Sequence, residues 1–332
     1  MRAPQPTTVA ILGDGGWGTT LALHASRLHH QVMWWGAFPD YLQLIAKHRE
    51  NSKFLPGVRI PKSIRITPDI AQAVAAAALV VFAVPSQHLR AVARQLAETD
   101  LSAKIIVSVA KGIEQGTLKR MSDVITDELG NVALVVLSGP NIATEIARGY
   151  PASSVVAATE EKLASDVQRA LANERFRLYI STDVIGVELG GALKNPIAIA
   201  AGVSDGLGFG ANAKAALITR GVVEMARLGI ALGAEQTTFW GLSGLGDLVT
   251  TCLSGRNHWL GAQLGQGRAL QQVLSSTPIV IEGIETARAA VALARKKRIQ
   301  LPIIEQVHAI LFQHRSPQQA LRALMKREQT SE

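Results

Sequence analysis

Two sets of residues in this sequence have the types and spacing to do chemistry: glycines placed to cradle a phosphate, and a lysine set among apolar neighbours. Gly13, Gly15 and Gly18 make up G-x-G-x-x-G within VAILGDGGWG. The pattern follows an apolar run and opens a helical one, which is the context phosphate recognition needs. The first glycine permits a tight turn, the second lets backbone approach a pyrophosphate, and the third lets strand and helix pack closely. A helix starting there turns unpaired N–H groups and a positive dipole end toward the phosphates. An ordinary strand-to-helix turn is the plainer alternative; the context selects dinucleotide binding.

Which dinucleotide stays open. An acid ending the second strand suits the ribose hydroxyls of NAD, and a base suits the phosphate of NADP. This chain has WWGAF there, Trp34–Phe38, with neither charge. Asp40, Lys47 and Arg49 are nearby, and nothing in the sequence aims them at a ribose.

Lys194 sits in GGALKNPIAIAAG, Gly190–Gly202. Desolvation disfavours an ammonium and lowers its pKa toward neutrality, where it can exchange protons during catalysis. The same segment fits equally a lysine snorkelling from a helix end. Further on, GLGDLVTTCLSGRN puts Asp247 ahead of Arg256 and Asn257. A guanidinium fork beside an amide suits a phosphate monoester. Asp247 could orient a lysine, although its spacing fits a helix cap better. Cys252 has no neighbouring base and reads as packing. Ser204–Gly210 reads as a flexible turn with too few ligands for a metal. The eight histidines form no metal-ligand pattern. His29 and His30 close a helix, where a cation is favourable anyway.

These residues need elements to position them. Short β-branched runs at Thr8–Leu12, Gln31–Trp35, Leu79–Val84, Lys104–Val109, Ala133–Leu137 and Ser153–Ala157 read as strands, with Phe176–Ile180 a candidate seventh. Helical patterns lie between them at Trp17–His29, His88–Glu98, Leu118–Glu128 and Glu160–Ala172. Strands separated by helices imply right-handed crossovers and a mainly parallel, doubly wound sheet of α/β class. From Val184 the reading is helical only: Val184–Gly202, Asn212–Leu232, His258–Leu264, Glu282–Lys297 and Pro302–Phe312. The division falls near residue 185, giving a Rossmann-like dinucleotide domain (1–185) and an all-helical substrate domain (186–332). Dense Gly and Ala in Gly186–Gly202 allow close helix–helix approach.

Composition narrows the class. The chain has 332 residues, net charge +8, 48% hydrophobic and 18% charged residues, which opposes disorder. Its basic residues are scattered, and the 5% aromatics do not interleave with them, so a solvated basic surface is preferred to nucleic-acid binding. Positive charge also suits anionic small ligands. The most apolar stretch, Val74–Val84, is about half of the ~20 residues a membrane span needs. The start, MRAPQPTTVAIL, reads as a disordered lead into the first strand without a cleavable leader. A lone cysteine, Cys252, cannot close an intramolecular disulfide and fits a reducing cytosol.

Together these motifs resemble the bacterial form of the NAD(P)-dependent glycerol-3-phosphate dehydrogenase family, over nearly the whole chain. The resemblance rests on GDGGWGTTLA (Gly13–Ala22), VPSQ (Val84–Gln87), AKGIE (Ala110–Glu114) and SGPNIATE (Ser138–Glu145). GALKNPIAIAAGVSDGLGFGANAKAALITRG (Gly191–Gly221) and GLGDLVTTC (Gly244–Cys252) are its most specific part, followed by GQG (Gly265–Gly267) and IEG (Ile281–Gly283). It implies reversible hydride transfer between NAD or NADP and C2 of glycerol 3-phosphate or dihydroxyacetone phosphate, in the cytoplasm, for glycerophospholipid synthesis. It implies that Lys194 is the catalytic acid/base. Lys111 would contact substrate and cofactor, Asp247 would be a substrate-site carboxylate, and Arg256 and Asn257 would hold the substrate phosphate. Gly139, Asn141 and Gly255 match further substrate-side positions. Gly13, Gly15, Gly16, Trp17, Gly18, Ala37, Ala143, Val280 and Glu282 match the cofactor side, together with Lys111 and Arg256. No metal is implied, and a homodimer through the helical half is compatible.

The chain departs from the family pattern at four places. Gly16 stands for the usual Ser or Asn, Ala37 for a His or Arg, and Asn141 for Ser or Thr. The loop before Arg256 is about two residues short, with Gly255 for Ser. Two other readings compete: a lysine-using reductase of hydroxyacids or ketopantoate, whose substrate lacks a phosphate, and a cofactor-binding sensor without turnover. Retention of Lys194, Lys111 and Asp247 opposes the sensor.

Overall fold

Alternation along the first strand, β1 (Thr8–Leu12), gives the sheet two covered faces. Val9 and Ile11 enter one apolar cluster, Ala10 and Leu12 another, and all four are buried. Strands buried on both faces are unbroken apolar runs, as VAIL is here. The computed structural model describes residues 5–277 and 279–327. The first four residues of the N-terminal lead lie outside the described residues.

The remaining strands are β2 (Gln31–Trp35), β3 (Glu50–Asn51), β4 (Leu55–Arg59), β5 (Arg65–Thr67) and β6 (Leu79–Phe82). They continue with β7 (Ile105–Ser108), β8 (Ala133–Ser138), β9 (Ala152–Ala157) and β10 (Phe176–Ser181). Eight of them form one sheet in the order β10-β9-β8-β7-β6-β1-β2-β5. Neighbours are parallel except β8 and β9, so the sheet is mainly parallel as expected. β3 and β4 form a separate antiparallel pair. The three-residue edge strand β5 and this pair give no usable alternation and escape the sequence reading.

Helices α1 (Gly16–Arg27), α2 (Pro39–His48), α3 (Ile70–Val74), α4 (Leu89–Arg94), α5 (Met121–Leu129), α6 (Ala143–Ala147) and α7 (Glu161–Leu171) connect the strands. α1, α2, α6 and α7 bury side chains with Val9 and Ile11, whereas α3, α4 and α5 do so with Ala10 and Leu12. The sheet is therefore doubly wound. The order reverses at β1, which lies between β2 and β6. Ligands of such sheets bind beyond the carboxyl ends of the strands at the reversal. Gly13 follows β1 and Ala37 follows β2 at those ends.

His30 departs from the expected cationic helix end. α1 stops at Arg27, and His30 is buried with Nδ1 accepting from the Thr7 N–H and Nε2 against the Ala170 carbonyl. It fastens the start of β1 instead.

Two compact units divide the chain: one runs up to Ala110 and resumes at Met121–Val184, and the other holds Lys111–Arg120 and everything from Ile185. The second unit contains α8 (Val184–Gly206), α9 (Ala211–Ala231), α10 (Asp247–Leu253), α11 (Arg256–Gly265), α12 (Leu270–Ser275), α13 (Glu282–Lys297), α14 (Pro302–Phe312) and α15 (Pro317–Met325). At its centre, α8 puts Leu189, Leu193, Ile197 and Ala201 into one apolar cluster and Ile199 and Val203 into another. Among the described residues α8, rather than Val74–Val84, is the segment that meets the length and composition of a membrane span. It is long and apolar enough to cross a membrane, yet 83% of its most apolar window is buried inside the protein. It is the core helix of its unit.

Candidate active site

In the first unit the glycine loop is tied to the end of β2. The Gly13 N–H donates to the Trp35 carbonyl (2.9 Å), and Trp34 Nε1 donates to the Gly13 carbonyl (2.9 Å). A Cβ on Gly13 would lie 2.6 Å from the Ala83 carbonyl oxygen, and one on Gly18 2.1 Å from that of Gly13. Gly15 faces open space, and it caps α1 without a side chain. The first N–H groups of α1 lack partners within the helix. Trp17 Nε1 is buried with no hydrogen-bond partner. Open backbone, free donors and an orphaned N–H fit the pyrophosphate of a dinucleotide.

Two departures from the family pattern acquire local reasons in this unit. A Cβ on Gly16 would meet the Phe54 carbonyl oxygen at 2.6 Å, and only glycine admits that approach. Asn141 Nδ2 donates to Ser154 Oγ (2.6 Å), while its Oδ1 is buried without a partner. Gly139 has φ +154°, and a Cβ there would press on the Ser154 backbone at 2.9 Å. Ala143 opens α6, and its carbonyl accepts from Thr20 Oγ1 on α1 (3.0 Å). Ala37 is exposed just beyond β2.

The second unit gathers the charged residues. Lys194 lies inside α8 and Asp247 opens α10, and both are buried. Lys194 Nζ donates to Asp247 Oδ1 (2.6 Å) and to Thr251 Oγ1 (2.6 Å). Lys111 Nζ donates to the other oxygen, Asp247 Oδ2, at 2.6 Å. Both plainer readings fail: Lys194 does not snorkel, and the Asp247 carboxylate serves two lysines while Gly246 occupies the cap position. Burial lowers the Lys194 pKa to about 8, with Asp247 opposing and Lys111 reinforcing the shift.

Local packing explains the meeting. A Cβ on Gly190 would lie 2.5 Å from the Ser243 carbonyl oxygen. That glycine lets the π-helical turn Leu242–Gly246, which leads into Asp247, settle against α8. Lys194 is four residues further along the same helix face. Lys111 arrives on the segment Lys111–Arg120, which is clipped to this unit at points further along it as well. Ile113 is buried in its apolar cluster, Gln115 Nε2 donates to the Glu285 carbonyl (2.5 Å), and Arg120 pairs with Glu188 (2.7 Å).

Arg256 and Asn257 begin α11, after Gly255 at φ +102°. That left-handed backbone favours glycine over the family's serine. Arg256 is exposed and donates from one Nη to the Val280 carbonyl (3.0 Å), which brings these two expected residues together. Asn257 is more committed than its sequence suggests. Its Nδ2 donates to Asn195 Oδ1 (2.8 Å), and its Oδ1 accepts from the Gly283 N–H (3.0 Å), next to Glu282 at the start of α13.

Sequence reasoning missed Thr251 and Asn195. Thr251 carried a signal, since it follows Asp247 by four residues on a helix. Asn195 carried none: it bridges Asn257 and the Lys111 carbonyl (3.3 Å) through contacts far apart in the chain. Asp205 is no loop residue either. It sits in α8 and accepts from Lys214 Nζ and His258 Nε2, each at 2.7 Å. Cys252 is buried, and burial pushes its thiol pKa up to about 12, in keeping with packing.

A doubly wound sheet with a phosphate-fitting loop, in one chain with a helical unit that holds a buried lysine, defines a two-unit dinucleotide-dependent oxidoreductase. Residues 8–164 match the N-terminal model, and residues 183–322 the C-terminal model, of NAD-dependent glycerol-3-phosphate dehydrogenase. The chain belongs to that family. Its relatives include the NAD(P)+ glycerol-3-phosphate dehydrogenases of Thermoanaerobacter sp. (strain X514), 45% identical, and Chlorobium phaeobacteroides (strain BS1), 46% identical, with 98% of each chain covered in both pairs. The crystal structure of a glycerol-3-phosphate dehydrogenase from Coxiella burnetii superposes with TM-score 0.93 at 37% identity, covering 97% of this chain and 99% of that one.

Proposed function

We propose that this protein reversibly reduces dihydroxyacetone phosphate to sn-glycerol 3-phosphate with NADH or NADPH, and that Lys194 is the acid/base. One observation carries the reading: Lys194 is buried, its pKa is lowered to about 8, and its Nζ lies 2.6 Å from Asp247 Oδ1. An ammonium has three N–H donors. Two are engaged by Asp247 and Thr251, which leaves one for the substrate oxygen. As the carbonyl is reduced, negative charge grows on that oxygen. Lys194 donates its proton there and stabilises the charge in a water-poor site. In the oxidative direction the neutral amine takes the proton back.

Asp247 holds Lys194 and Lys111 on its two oxygens, so the three side chains carry net positive charge when both lysines are protonated. That balance suits a phosphorylated substrate. We assign the phosphate to the Arg256 fork at the start of α11, with Asn257 and Gly255 setting that start. Gly139 and Asn141 belong to the substrate side. Gly13, Gly15, Gly16, Trp17 and Gly18 hold the dinucleotide, with Ala37, Ala143, Val280 and Glu282 on the cofactor side. A bound nicotinamide supplies or accepts the hydride at substrate C2. The sheet unit then serves as dinucleotide domain and the helical unit as substrate domain.

In this reading the enzyme works in the cytoplasm, which the buried thiol of Cys252 suits, and its product enters glycerophospholipid synthesis. It is a homodimer through the helical unit, where exposed Phe209 and Met325 line an apolar cavity of about 1000 Å³. Lys194→Ala tests the assignment. Turnover should fall by roughly two to four orders of magnitude, the usual worth of a positioned proton donor, while NADH or NADPH still binds. A loss of only a few-fold would make Lys194 structural.

A further inference from the structure

We propose that Asp14 reads the adenosine ribose and gives this enzyme a preference for NAD(H) over NADP(H), an inference that rests on the dinucleotide site assigned above. In doubly wound sheets that bind NAD, an acid about 20 residues beyond the glycine loop, near the end of the second strand, accepts from the ribose hydroxyl. This chain has Gly36 and Ala37 there. The structure brings a carboxylate to the same place from the other side. A Cβ built on Gly36 would lie 2.8 Å from Asp14 Cβ, Cγ and Oδ2. Asp14, the residue between the first two glycines of the loop, therefore takes the space at the end of β2 that a side chain at residue 36 would fill.

Its position is fixed. Asn51 Nδ2 donates to the Asp14 carbonyl (2.8 Å) and to Thr19 Oγ1 (2.7 Å), and Asn51 Oδ1 accepts from the Tyr41 hydroxyl (2.6 Å). The neighbouring Gly13 is bonded to both tryptophans of β2. Asp14 Oδ2 is nonetheless buried with no hydrogen-bond partner. A buried acceptor left unpaired is costly, and a ribose hydroxyl supplies the missing donor. A 2′-phosphate supplies only acceptors and negative charge, so it would face the carboxylate as a repulsive element.

The bases nearby do not reverse this. Arg49 donates one Nη to the Ile64 carbonyl (3.0 Å), and Lys53 lies over the Phe54 ring, 4.9 Å from its centroid. Burial raises the Asp14 pKa, and a hydrogen bond from its own backbone N–H and the nearby Lys53 charge each oppose part of that rise.

Calorimetric titration with NADH and NADPH, and with 5′-AMP and 2′,5′-ADP as fragments lacking nicotinamide, tests the inference apart from turnover. The member of each pair without a 2′-phosphate should bind at least about tenfold tighter. Asp14→Asn keeps an acceptor and removes the charge; it should narrow the gap by about tenfold, chiefly by tightening the 2′-phosphorylated member. Equal or tighter NADPH binding by the native protein would overturn the role of Asp14, as would an unchanged ratio in a folded Asp14→Asn. If neither dinucleotide binds, the dinucleotide site itself is wrong.

Discussion

At Lys194 two effects oppose each other. Burial disfavours the ammonium, and the Asp247 carboxylate 2.6 Å away favours it; burial is the larger, so the pKa falls to about 8. A lysine near that value can both give and take a proton at physiological pH, which an exposed lysine near its ordinary 10.5 does poorly. Arg256 is a different case, an exposed fork that the proposed function assigns to binding the substrate phosphate. Arg256→Ala should raise the KM for dihydroxyacetone phosphate by roughly tenfold or more, since a charge-assisted pair to phosphate is worth about 1.5–3 kcal/mol, and should change kcat less. Steady-state kinetics check this, and an unchanged KM would remove Arg256 from the phosphate site. Residue type and spacing singled out the glycine loop, Lys194 and Arg256, although for Lys194 they left acid/base work and snorkelling equal. Lys111 was reached only through family resemblance, because its partner Asp247 is 136 residues away. Asp247 itself was misweighed: local spacing favours a cap, and only packing gives it two lysines.

At the scale of elements, the glycines of the helical unit act as spacers. A Cβ on Gly202 of α8 would lie 2.0 Å from the His258 carbonyl oxygen, and one on Gly261 of α11 2.0 Å from that of Ile199. The two helices therefore touch backbone to backbone. This seats the start of α11, with Arg256 and Asn257, close enough for Asn257 to bond Asn195. Gly202→Ala should destabilise the protein by about 1–3 kcal/mol, the usual cost of overpacking a tight contact. It should also raise the KM for the phosphate substrate by shifting α11. Urea denaturation and kinetics would measure the two effects; unchanged values for both would mean the contact does not seat the site. The glycine density of α8 foretold close approach but not the partner. α13 and α14 were readable to their ends, because their apolar periodicity is regular. α10 and α12 were not, since six or seven residues hold too few turns for a period to emerge.

Across the whole molecule, the alternation of strand and helix was enough to read a doubly wound sheet followed by an all-helical region. What the sequence could not carry was the edge strand β5, and the passage of Lys111–Arg120 into the helical unit. That excursion lies between β7 and α5, amid sheet-forming sequence, and its anchors at Glu188 and Glu285 are tertiary. In the proposed mechanism the helical unit supplies a lysine with a pKa of about 8 that gives a proton in reduction and takes one in oxidation. Above pH 7, kcat/KM for dihydroxyacetone phosphate reduction should hold level and then fall as pH rises through about 8, where the ammonium is lost. For glycerol 3-phosphate oxidation it should rise through the same pH, and Lys194→Ala should abolish both inflections. Measuring the two profiles for the native enzyme and Lys194→Ala is the most direct test. Opposed inflections near pH 8 that vanish in the variant are the expected result, and a variant that keeps them would contradict the assignment of Lys194 as the acid/base.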